Sequence, residues 1–122
     1  MLWFGAHIVM RVFYKDGDQD NCLVMENVIL ISANDDEEAE QKAETIGRSL
    51  EGDSEGTFTW KNRPAYWGFV GVRKLVEIRN SKSSNDEVDD ASEISYSILD
   101  IESVELLRKF MEGEEITLKV VE

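Results

Sequence analysis

The sequence has one cysteine, one proline and one histidine in 122 residues. A lone Cys22 can close no internal disulfide, which fits a reducing compartment. Transition-metal sites draw their nitrogen and sulfur ligands from His and Cys, so one of each is a poor start, and neither a metal nor a cofactor is expected. Basic charge is scarce too: 13 Lys and Arg stand against 26 Asp and Glu, for a formal net charge of −13. Such a surface repels nucleic acid and anionic membranes and attracts basic partners. The apolar N-terminal stretch is too short to span a bilayer before Arg11. It also lacks the basic region and small-residue cleavage site of a signal peptide. A cytoplasmic protein is therefore expected, binding neither nucleic acid nor membrane.

What is present is enough for a core. Hydrophobic residues make up 42% of the chain, and a chain of this length reads as one domain, residues 1–122. Residues 2–14 alternate strictly. Leu2, Phe4, Ala6, Ile8, Met10, Val12 and Tyr14 share one face, and Trp3, His7 and Arg11 share the other, which is the signature of a strand. A polar turn around Asp16–Asn21 leads to a β-branched run over 22–33, and the two runs predict a long hairpin. Pairing Lys15 with Cys22 sets Val12 against Met25, Val9 against Val28 and Arg11 against Glu26, an opposite-charge cross-strand pair.

A helix is predicted from Asn34, an N-cap with Glu37 three residues later. Four acids, Asp35 to Glu38, crowd its first turn, where the helix dipole favours them. Ala39, Ala43, Ile46 and Leu50 recur at helical spacing, and the alanines imply close approach to a sheet. Gly52 is the expected stop. A short strand at 57–62 and a loop with Pro64 precede another long strand, 67–78. Apolar residues fall on both faces of that strand until Arg73, and a bulge near Gly71 to Lys74 is the expected reason. A Ser-, Asn- and Asp-rich loop spans 80–92, and alternation returns at 93–101. Ser103 caps a short helix that Gly113 ends, and a last strand covers Ile116 to Val120. The predicted class is α+β: an antiparallel sheet of about five to six strands, with the main helix and the short C-terminal helix packed on one face.

Several of these features occur together in a known family. A helix reads Glu38-Ala39-x-x-Lys42-Ala43-x-x-x-Gly47. It is followed by Trp67-x-Phe69-Val70-Gly71-Val72, a strand ending Glu77-Ile78, and Glu93-Ile94-x-Tyr96-Ser97. This ordered set, over roughly residues 1–100, resembles the forty-two eighty-eight domain-of-unknown-function family of short bacterial and archaeal proteins. Residues 102–122 look like an addition. The resemblance implies a small α+β domain and no assigned activity, so it carries over no catalytic residue.

Candidate chemistry is thin. Asp16, Asp18 and Asp20 imitate the opening of a calcium loop, but Asn21 and Asn27 stand where that loop needs Gly and Glu. A solvated hairpin turn explains them better. Cys22 and His7 are eight strand residues apart in the predicted register, roughly 26 Å at about 3.3 Å per residue, too far for a nucleophile and its base. Gly68 and Gly71 lie within a strand and build no phosphate loop. No catalytic residue is assigned.

Charge is better organised. Residues 35–55 hold nine acids against Lys42 and Arg48, whereas 57–79 hold five bases against Glu77. The leading expectation is a non-enzymatic binding protein, of immunity or inhibitor type, whose Asp36, Glu40, Glu44 and Glu51 engage a basic protein partner. The bland reading of the same residues is an acidic surface that only aids solubility. Two alternatives stay open. One is a small-ligand site or cryptic enzyme at Trp67, Phe69, Arg73 and Tyr96. The other is a homo-oligomer formed through an exposed strand edge.

Overall fold

The computed structural model describes residues 1–19, 22–79 and 87–121. Asp20 of the calcium-like triple and most of the predicted 80–92 loop lie outside the described residues. The elements are β1 (Leu2–Tyr14), β2 (Leu23–Ala33), α1 (Asp36–Ser49), β3 (Thr59–Trp60), β4 (Arg63–Ile78), β5 (Ile98–Asp100), α2 (Val104–Met111) and β6 (Lys119–Val121). The fold is α+β. The main sheet has the order β2-β1-β4-β3 and every neighbouring pair is antiparallel, while β5 and β6 form a separate two-stranded sheet.

β1 lies inside the sheet, and its alternation sets the core. Phe4, Ala6, Ile8, Met10 and Val12 are each no more than 2% exposed. α1 crosses this face on Ala39, Ala43 and Gly47, all buried. A methyl group at Gly47 would overlap the Phe69 ring, so glycine sets how closely helix and sheet approach.

The β1–β2 hairpin forms with a register two residues from the expected one. Val12 pairs with Leu23 and Val9 with Glu26, and Arg11 lies opposite Val24. A two-residue shift preserves which side chains face inward, so the hydrophobic pattern alone does not distinguish the registers. The partners of Glu26 decide between them, and they come from elsewhere in the fold.

β4 resolves its two-sided apolar pattern by bulging twice. Its register with β1 slips between His7 and Ile8 and again between Val9 and Met10, leaving Arg73 and Val70 unmatched. Each extra residue reverses the alternation. Trp67 and Phe69 thus reach the same core as Val72 and Leu75. Pro64, expected in a loop, is in β4 opposite Thr59. It lies near the strand's start, where the missing N–H is tolerated. The intervening turn places Lys61 and Asn62 at φ of 51° and 64°, the paired left-handed geometry of a tight hairpin.

The helix cap falls one residue later than expected. Asp35 is the N-cap, and its Oδ1 accepts the Glu38 N–H at 2.8 Å. Glu38 reaches back with Oε2 to the Asn34 N–H at 3.2 Å and to its side-chain amide at 3.0 Å. Gly52 does not end α1 directly but forms a bridge to Trp67. In α2 the expected Ser103 cap is present, accepting the Leu106 N–H at 3.2 Å. Only α1 packs a buried face on the sheet. α2 has no buried residue, and Val104 and Met111 are 83% and 75% exposed. The alternating stretch 93–101 contributes only β5 as a strand. Residues 92–97 instead pass over the sheet face opposite α1, where the Ile94 carbonyl lies against Gly5.

Candidate functional site

α1 presents two unlike flanks. At 100° per residue, Asp36, Glu40 and Glu44 share a stripe turned away from β2. All three are exposed, and none makes an ion pair or hydrogen bond among the described residues. Glu51, the fourth acid of the predicted set, lies beyond the helix end, and its Oε2 accepts the Phe69 N–H at 3.0 Å. It is tied to β4, whereas the other three face solvent.

The flank toward β2 is different in character. Lys42 donates from Nζ to the Ser32 carbonyl at 2.6 Å and lies 3.8 Å from Glu38 Oε1. Between this flank and β2 runs a groove of about 500 Å³, lined by Leu30, Ile31, Ser32, Glu38, Gln41, Lys42, Thr45 and Ile46. Sequence reading missed it. The available signal was that Gln41 and Thr45 interrupt an otherwise acidic helix surface.

The four residues of the alternative ligand face do not converge. Trp67 and Phe69 are on the α1 side. Phe69 lies under Arg48, 5.4 Å from guanidinium to ring centroid, and Trp67 packs on Phe58 and Trp60 with centroids 5.6 and 6.4 Å away. Trp3, opposite Ile78, is at the far end of β1 from this cluster. Arg73 and Tyr96 are on the other face. There they line a cavity of about 270 Å³ with Lys74, Ser97, Ile98, Val120 and Val121.

On that same face runs a polar chain that the sequence did not announce. His7 is 4% exposed. Its Nδ1 is 2.5 Å from Glu26 Oε1, and its Nε2 meets the Ser95 hydroxyl. Arg73 donates to Glu26 from Nε at 2.5 Å and from a terminal nitrogen at 2.9 Å. The Arg73 hydrogen bond, opposed by partial burial and aided by His7, holds the Glu26 carboxyl down at about 2. Glu26 is thus ionised and acts only as an acceptor, so the imidazole proton belongs on Nδ1 and Nε2 accepts from Ser95. The order hydroxyl, imidazole, carboxylate is that of a hydrolase triad. Here, however, the ring is buried and Ser95 is not among the residues lining the adjoining cavity. The chain instead fastens residues 92–97 to the sheet, helped by Lys74, which donates to the Tyr96 carbonyl and lies 4.0 Å over its ring.

Other candidates are quickly placed. Arg63 donates to the carbonyls of Asp16 and Asp18 and pairs with the Asp16 carboxylate at 3.3 Å, so a guanidinium already supplies positive charge to that turn. Cys22 is exposed and free. Among the described residues no group of three or more His, Cys, Asp or Glu is arranged to hold a metal, and no helix is long and apolar enough to cross a membrane.

No curated protein and no solved structure matches the chain. A family profile does, over residues 3–96, ending just before β5 and leaving β5, α2 and β6 beyond the match. The chain belongs to the family described as Domain of unknown function (DUF4288).

Proposed function

We propose that the protein is a non-enzymatic acidic binding module that engages a basic protein partner through the solvent-facing flank of α1, in the manner of an immunity or inhibitor protein. The observation that carries this reading is the stripe Asp36, Glu40 and Glu44. These are three exposed carboxylates at helical spacing that make no ion pair among the described residues, in a chain of net charge −13. The stripe sits on a helix anchored by fully buried Ala39 and Ala43, so its charges are held in fixed relative positions. Such a patch steers a basic surface into contact and raises the association rate. Partner identity is open to direct capture. A photo-crosslinking residue at Glu40, followed by mass spectrometry, is expected to yield a protein with a basic surface whose association with the purified chain slows as salt rises. A cross-linked partner that is acidic, or association indifferent to salt, contradicts the reading.

A second reading is a small-ligand site in the cavity beside Arg73 and Tyr96. Its volume of about 270 Å³ lies just under the usual range for ligand pockets, roughly 300–1,000 Å³. Arg73 and Lys74 are also already engaged with Glu26 and Tyr96, which makes this the weaker of the two.

A further inference from the structure

We propose that the outer edge of β2 is a self-association surface, on which a second copy of this chain pairs its own β2 to make one continuous antiparallel sheet across a two-fold axis.

The first argument is the edge itself. β2 is the terminal strand of the main sheet, and it pairs with β1 without a register shift from Ala33 to Leu23. Proteins usually block such an edge with lysine, proline or a bulge. Leu23–Ala33 contains neither residue type and no bulge. Among the described residues, Lys42 from α1 reaches this edge, at the Ser32 carbonyl.

The second argument is what the edge presents. Val24, Val28 and Leu30 are 55%, 43% and 48% exposed. Antiparallel pairing centred on Val28, the middle residue of the strand, brings Val28 against its own copy and Leu30 against Glu26. Glu26 is paired with the Arg73 guanidinium of its own chain, so it brings no uncompensated charge to the seam.

The third argument is charge, which selects the occupant. Across a two-fold axis normal to the sheet, both α1 helices lie on the same side and turn their β2 flanks toward each other. That flank carries Glu38, Gln41, Lys42 and Thr45, one acid and one base. Glu38 of each copy can therefore face Lys42 of the other, the reciprocal pattern an isologous contact needs. The acidic stripe of the same helix points away from the axis. A strongly basic occupant finds no matching field in this groove, and a second copy does. The residual repulsion between two chains of net charge −13 is long-range and is screened by salt.

The salt response separates this surface from the acidic flank, because salt strengthens self-association and weakens engagement of a basic partner. Sedimentation equilibrium of the full chain is expected to show a reversible dimer, twice the 13.9 kDa monomer mass, that tightens as salt rises. Val28→Lys places like charges directly opposite each other across the seam and is expected to raise the dissociation constant by at least ~10-fold, about 1.4 kcal/mol. Asp36→Lys with Glu44→Lys is expected not to weaken the dimer. Should the β2 variant fail to fold, hydrogen exchange of the unaltered protein decides the matter, since β2 amides should become protected as concentration rises. A single 13.9 kDa species at every concentration and salt, a dimer unmoved by the folded β2 variant, or β2 exchange independent of concentration overturns the proposal.

Discussion

His7 and Glu26 face each other diagonally across the β1–β2 pair, with Nδ1 and Oε1 2.5 Å apart. His7 is the only histidine in the chain, and Glu26 is the only charged residue in β2. Each is costly within an apolar strand by itself. Together with Ser95 and Arg73 they become a satisfied network that joins β1, β2, β4 and the segment 92–97.

Glu26→Gln is expected to flatten the acid limb of the stability curve. The hydrogen bond from Arg73 holds the folded carboxyl at about 2, below the ordinary glutamate value of 4.5. A depressed pKa contributes stability that is complete above the unfolded value and lost as pH falls through the folded one. Urea melts between neutral pH and about pH 2 should show the unaltered protein losing more stability than the Gln variant. Parallel curves would mean that Glu26 is not ion-paired in solution.

Ser95→Ala removes the donor to a buried imidazole nitrogen and is expected to cost about 1–3 kcal/mol. Hydrogen exchange should quicken over 92–97 and leave α1 unchanged. Unchanged exchange in 92–97 would show that this contact does not hold the segment.

At the start of α1, Asp35→Ala is expected to destabilise by about 1 kcal/mol, the scale of a lost N-cap, and Asn34→Ala by less. Asn34 donates to Glu38 but does not cap the helix. Chemical denaturation of the two variants gives the order directly.

Where α1 meets the sheet, Gly47→Ala is expected to cost about 1–3 kcal/mol through overpacking on Phe69. Ala43→Asp should cost more, because it buries a carboxylate at a fully buried position. A neutral Ala43→Asp would place the helix on a different face.

Much of this fold is legible in the sequence, for local reasons. β1 alternates without interruption, Ala39 and Ala43 mark a close helix contact, and Ser103 is a cap three residues ahead of the N–H it receives. What was not legible depends on distant chain. The hairpin by itself, in its expected register, sets Glu26 opposite Arg11, whereas the actual partners are His7, two residues off register, and Arg73, 47 residues away. The bulges at Val70 and Arg73 then separate Trp67 and Phe69 from Arg73 and Tyr96, which one unbroken strand period would not foretell. For the acidic set, helical spacing alone places Asp36, Glu40 and Glu44 on one flank. Glu51 departs from them because it follows the helix end, where the chain turns back to β4.

The most direct test of partner binding through α1 is the association rate of the captured basic partner with a triple variant, Asp36→Lys, Glu40→Lys and Glu44→Lys. Glu51 is left in place because it holds the Phe69 N–H. Three carboxylates become three ammonium groups, so the formal net charge rises by six from −13. The fold should persist, since exposed charges contribute little to stability. At low salt the association rate is predicted to fall about 10-fold or more, with a smaller change in the dissociation rate. A folded variant that associates at an unchanged rate would contradict the claim and leave the acidic stripe with no role beyond solubility.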